Sequence, residues 1–260
     1  MMHDPATSTF RRADTGSRRA DTGSRRADTG AVLLALTFPT LVTWLYFVVL
    51  ADHAAAVQQV AYGVGKTLQF AFPAVWVLAW QRRRLRPTWP RTRGLAESVG
   101  FGLFVLAAML VLYHVWLEPA GYLAASREEI RRKVLGFGLD SPLKYIGLGV
   151  FYALGHSLLE EYYWRWFVFG QLRELLRLWP AILVSSFGFM AHHVIVLSTF
   201  FGWQSPATWL FSLAVAVGGI AWAWIYQRSQ SLYGPWLSHL FVDAGIFAIG
   251  YEMVKDLLAG

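Results

Sequence analysis

Seven stretches, at about 31–51, 61–80, 95–117, 145–170, 180–200, 206–227 and 232–253, each hold the roughly twenty apolar-dominated residues that a helix needs to cross a bilayer. Repetition on this scale leaves few folds open. Backbone in hydrocarbon has no water to bond, so its N–H and C=O groups must be satisfied within the segment, as in an α-helix. The expectation is an all-α, polytopic membrane helical bundle of about seven transmembrane helices. Composition agrees, with 56% hydrophobic residues, 13 Trp and only 15% charged residues in 260. With no cysteine, thiol nucleophiles, disulfides and Cys-ligated metals are excluded. The net charge of +7 argues for topology rather than for a nucleic-acid partner, because the arginines stand beside apolar runs.

The runs divide the chain into four parts: 1–30, 31–117, 118–144 and 145–253. Residues 1–30 repeat Arg-Arg-Ala-Asp-Thr-Gly-Ser, the last time without its Ser, and offer almost nothing apolar to bury, which predicts a disordered Arg-rich tail. Residues 31–117 hold the first three helices, with Pro39 and Pro73 inside the first two; Gln58, Gln59 and Lys66 dilute the second. The 118–144 connection carries a helix signal in Ser126 and Glu129, the spacing of a capping box. Glu128 with Arg132, and Glu129 with Lys133, are spaced to pair along one face of that amphipathic helix. Six arginines in the tail, six between Gln81 and Gly94, and Arg173, Arg177 and Arg228 outnumber the six Lys and Arg of the opposite side. This asymmetry predicts a multi-pass protein of the inner or plasma membrane with a cytoplasmic N-terminus.

Three polar clusters interrupt the later apolar runs. Glu160, Glu161 and Arg165 fall within the fourth, where each ionisable group costs roughly 2.5–3.5 kcal/mol near the bilayer centre. Glu161 and Arg165 stand four apart and share a helical face, while Glu160 is rotated about 100° from it. His156 lies one turn before Glu160 and can pair with it. The fifth run carries His192 and His193, which point about 100° apart, so that one enters a site and the other packs elsewhere. The last carries His239 and Asp243, one turn apart, an arrangement in which a carboxylate fixes an imidazole's tautomer. Acid and imidazole groups on three separate runs are expected to converge.

Glu160-Glu161-x-x-x-Arg165, Phe189-x-x-x-His193 and His239-x-x-x-Asp243 resemble the three ordered motifs of the CPBP intramembrane endopeptidases, the Abi family that includes the type II CAAX prenyl proteases. The resemblance covers about residues 145–250. It implies a CPBP-like core with Glu160 as general base, His193 as its partner at a water, and His239 with Asp243 at the oxyanion. Glu161 and Arg165 would support the site. Asp243 stands where many members carry Asn; an ionised Asp donates no hydrogen bond, so it is either protonated or orients His239. The doubled histidine leaves His192 as the alternative to His193, which is preferred because Phe189 lies four before it.

Peptide hydrolysis by this set needs a nucleophilic water, a base and oxyanion donors in a site that restricts bulk water. The expected substrate is a membrane-anchored or C-terminal peptide. A zinc ion held by Glu160, His193 and His239 is the alternative to a metal-independent reaction, but it would consume Glu160 as a ligand. A proton-coupled transporter would use similar buried groups, and a non-catalytic scaffold of the same fold would use none of them for chemistry.

Overall fold

The computed structural model describes residues 18–84 and 94–258, which form helices and short connections with no strand. Helices α1 (Arg18–Trp44), α2 (Ala55–Val75) and α3 (Leu95–Leu112) each run on into one wider, π-type turn, at Leu45–Val49, Trp76–Trp80 and Tyr113–Leu117. Helix α4 (Ala124–Gly136) lies in the long connection. Next comes one continuous rod over 142–175, here α5, built from Pro142–Val150, Phe151–His156, Ser157–Glu161, Tyr162–Phe169 and Gly170–Leu175. Its second and fourth pieces are π-wound. Helices α6 (Leu178–Phe201), α7 (Pro206–Ser229) and α8 (Tyr233–Leu258) complete the chain.

Local chemistry sets several boundaries. Ser141 caps α5 by accepting from the Lys144 N–H, and Ser205 caps α7 by accepting from the Ala207 N–H; both precede a proline in the first turn. Proline is suited there because the first helical N–H groups have no intrahelical partner. Gln230 ends α7 in the left-handed conformation at φ 53°. The capping box at Ser126 does not form. Helix α4 begins at Ala124, and the Ser126 hydroxyl, already inside it, donates to the Phe200 carbonyl at 2.8 Å, docking α4 on the end of α6. Glu129 pairs with Arg132 rather than Lys133, whose ammonium lies 5.4 Å from the Phe47 ring.

Helix α1 starts at Arg18, within the repeat. A helix nucleated by the apolar run extends cheaply into Ala and Arg, which are good helix formers. Asp28 then holds that extension in place by accepting from Trp76 Nε1 at 3.3 Å and Gln81 Nε2 at 2.9 Å. Residues 1–17 of the tail, and 85–93 of the arginine-rich loop, lie outside the described residues.

Among the described residues five segments are long and apolar enough to cross a membrane: Arg25–Val49, Leu95–Leu117, Leu178–Phe201, Pro206–Ser229 and Tyr233–Leu258. The protein is thus an all-helical integral membrane protein. Length and composition carry five crossings rather than the expected seven. The two remaining helices, α2 and α5, are those that carry Lys66 and the Glu160, Glu161 and Arg165 cluster.

Close approach of α3 and α8 positions the last helix. A Cβ on Gly102 would come 2.9 Å from both the Cα and the carbonyl oxygen of Ser238, backbone that has no room to yield. Small residues of this kind let membrane helices pack backbone to backbone. On the other side, α5 buries Tyr163, Trp164, Phe167 and Phe169 against α6 and α7, and the Tyr163 hydroxyl donates to the Ala35 carbonyl of α1 at 2.8 Å. The polar residues of α5 are therefore fixed between α8 and the aromatic core.

Candidate active site

Glu160, Glu161, Arg165, His192 and His239 are all buried, none more than 4% exposed, and they meet at one place. Three imidazole Nε2 atoms surround the Glu160 carboxylate: His192 at 3.7 Å from Oε1, His156 at 3.9 Å from Oε1 and His239 at 3.8 Å from Oε2. These separations exceed a direct hydrogen bond. Atoms about 3.8 Å apart can nevertheless both lie about 2.8 Å from one shared oxygen, the usual O–H···O distance.

His239 is the most tightly held of the three. Its Nδ1 lies 2.8 Å from Glu161 Oε1. A carboxylate only accepts, so Nδ1 carries the proton and Nε2 is the nitrogen turned toward Glu160. Asp243 Oδ1 stands 3.5 Å from that same Nε2. The carboxylate bonded to Nδ1 is therefore Glu161, from another helix, and Asp243 faces the nitrogen turned toward Glu160. Trp222 of α7 stacks on the imidazole at 4.2 Å and 17° and donates from Nε1 to the Ser238 hydroxyl at 3.0 Å. Ring and neighbour are thereby fixed by one side chain.

Behind Glu161 sits Arg165, whose Nε lies 3.1 Å from Glu161 Oε2. Its guanidinium is held between aromatic faces, 4.7 Å from the Phe189 ring and 5.0 Å from the Trp222 ring. The i,i+4 pair expected from the sequence forms, and it is the start of a chain running Arg165, Glu161, His239, Glu160.

The histidine pair of α6 divides as its 100° separation requires. His192 faces Glu160 and stacks parallel to Trp164, 5.7 Å between centroids and 9° between planes. His193 Nδ1 lies 2.9 Å from the Phe189 carbonyl, its i−4 neighbour. The imidazole brought within ion-pair distance of Glu160 from this helix is that of His192, where the sequence pattern favours His193. His156 joins the same ring of nitrogens, beyond the packing role it could equally have had, with Phe70 set edge-on against it at 6.0 Å.

The zinc set considered from sequence, Glu160, His193 and His239, does not converge in this way, and among the described residues no three acidic or imidazole groups are arranged to hold a metal ion. The donors at hand are directed instead at the Glu160 carboxylate. Trp222 and Lys66 of α2 were not singled out as site residues by their sequence. Trp222 enters through tertiary packing, stacked on His239, and the only local signal at Lys66 is a lysine inside an apolar run.

A membrane-embedded helical bundle with a buried carboxylate ringed by imidazoles is the class this fold and site define. Residues 142–245, the segment from α5 into α8, match the family model described as type II CAAX prenyl endopeptidase Rce1-like. The matched segment opens on the first residue of α5 and contains Glu160, Glu161, Arg165, both α6 histidines, His239 and Asp243. No curated protein and no solved structure matches the chain.

Proposed function

We propose that this protein is an intramembrane endopeptidase in which Glu160 activates a water to hydrolyse a peptide bond of a membrane-anchored or C-terminal, CAAX-like peptide. What most supports the reading is the convergence of three imidazole nitrogens on one buried carboxylate at 3.7–3.9 Å. As the water oxygen bonds to the substrate carbonyl carbon, Glu160 takes one water proton and the carbonyl electrons move onto their oxygen. His192 stands beside Glu160, where an Nε2–H can donate to that oxyanion, and His239 does the same when its Nε2 is protonated as well as its Nδ1. Glu160 then gives its proton to the leaving nitrogen as the C–N bond breaks. One water enters, and one carboxyl and one amine leave.

Glu161 and Arg165 act through His239, fixing which nitrogen it presents. Asp243, at 3.5 Å from that nitrogen, is assigned to holding the ring's working side near the intermediate. The base and donors are the protein's own groups, and the reaction is written without a metal. Arg83 with Glu174 at 2.7 Å, Arg228 with Glu97 at 3.3 Å, and Arg173 with Gln227 at 3.4 Å link loops and helix ends on the arginine-rich side. That side is assigned to the cytoplasm.

The deciding experiment compares purified wild type with Glu160→Gln in detergent micelles against membrane-anchored peptides. Loss of a positioned base should lower turnover about 10²–10⁴-fold, with folding intact. Equal cleavage by both proteins removes this function.

A further inference from the structure

Lys66 lies well inside α2, about 16 Å from its Ala55 end at 1.5 Å per residue. Its ammonium is held among rings, 5.5 Å from the Tyr62 centroid and 5.6 Å from the Phe70 centroid. Among the described residues no carboxylate lies within ion-pair distance of it, in contrast to Arg165 with Glu161 at 3.1 Å. A cation so placed in an apolar run costs roughly 2.5–3.5 kcal/mol unless an anion offsets it.

Its location relates it to the site. Phe70, one turn further along α2, packs edge-on against both His156 and Tyr163, at 6.0 and 6.2 Å. His156 in turn faces Glu160. Lys66 therefore stands one helical turn, about 5.4 Å, from the layer that holds the catalytic carboxylate. Glu160 and Asp243 make the site repel anions, so a negatively charged substrate group near the scissile bond requires a cation close by.

We propose that Lys66 binds a carboxylate of the peptide substrate within a few residues of the scissile bond, and so selects peptides that carry one there. An extended chain advances about 3.3 Å per residue, so an offset of about one helical turn is spanned within a few residues of the scissile bond. The carboxylate is either the peptide's own C-terminus or an Asp or Glu side chain. The assignment rests on the peptidase reading above, and it gives α2, which lies outside the matched family segment, a part in recognition.

Two measurements test it. Cleavage is followed for a membrane-anchored peptide as its C-terminal acid, as the C-terminal amide, and with neighbouring Asp or Glu changed to Asn or Gln, using wild type, Lys66→Met and Lys66→Arg. Binding of the same peptides is measured in the Glu160→Gln background, where no turnover is needed. Wild type should favour the carboxylate-bearing peptide over its neutral counterpart by about 30-fold or more, chiefly in KM and Kd, because a desolvated charge pair is lost. Lys66→Met should bring that ratio toward one, and Lys66→Arg should keep most of it. Whichever neutralised position removes the preference identifies the source. A ratio unchanged in Lys66→Met, or no preference for any carboxylate in wild-type binding, overturns the proposal. Absence of cleavage alongside a Lys66-dependent binding preference would instead count against the peptidase reading.

Discussion

Replacing Glu161 by Gln separates two roles that meet in one side chain. In the native site its Oε1 lies 2.8 Å from His239 Nδ1 and its Oε2 lies 3.1 Å from Arg165 Nε, with both Glu161 and Arg165 essentially inaccessible. Glu161→Gln leaves the guanidinium buried between Phe189 and Trp222 with no counter-charge, which costs about 3–5 kcal/mol of stability when one partner of a buried pair is removed. It also replaces a carboxylate by an amide at His239 Nδ1. Loss of such an orienting partner typically costs about 10–100-fold in the function of the histidine it holds. The double variant Glu161→Gln/Arg165→Met removes the stranded charge and should recover most of the stability, since replacing both partners of a buried pair is often neutral. It should not recover activity, because the His239 contact is still changed. Thermal unfolding in micelles, read beside peptide turnover per folded molecule, distinguishes the two effects. Recovery of full turnover in the double variant would show that Glu161 serves only to neutralise Arg165, and the proposed control of His239 would be wrong.

Three further outcomes follow from the geometry. His192→Ala should lower turnover by at least tenfold more than His193→Ala, since His192 is the one 3.7 Å from Glu160; the reverse order, measured per folded molecule, would return the role to His193. Gly102→Val puts a Cβ against Ser238 backbone, so α8 must shift; overpacking of this kind costs about 1–3 kcal/mol, and Gly102→Ala should show a smaller loss in both melting temperature and turnover. Turnover should survive extended dialysis against a strong chelator, and restoration of lost activity by added zinc, with metal bound in proportion by elemental analysis, would refute the metal-free route.

Much of this arrangement is legible in the chain. The third apolar run, 95–117, coincides with helical residues from Leu95 to Leu117, because nothing in it competes with hydrophobicity as a signal. Glu160, His239 and the Glu161–Arg165 pair stand out because charge is expensive among apolar neighbours. The partner of His239 was harder to read. Asp243 is one turn away on the same helix, whereas Glu161 is 78 residues distant, and sequence spacing reports only the nearer. Helical phase serves well around the charged turn of α5, where His156 faces Glu160 and Arg165 faces Glu161, each four residues apart, even though π-wound turns at Phe151–His156 and Tyr162–Phe169 flank it. Ser126 illustrates a different limit. Its spacing to Glu129 suits a helix start, but a carbonyl on α6 offers its hydroxyl a tertiary partner that no local pattern announces.

The 78-residue gap between Glu161 and His239 has a temporal side as well. At synthesis rates of about 5–20 residues per second, α5 exists for roughly 4–16 s before its imidazole partner on α8 is made. During that interval Glu161 has only its own Arg165, four residues ahead on the same rod and available at once. The internal pair thus acts as a temporary companion that lets an acidic rod wait in or beside the translocation channel. The last helix brings His239 to Glu161 and Glu160, so the candidate site is assembled only once the final segment of the chain has been made.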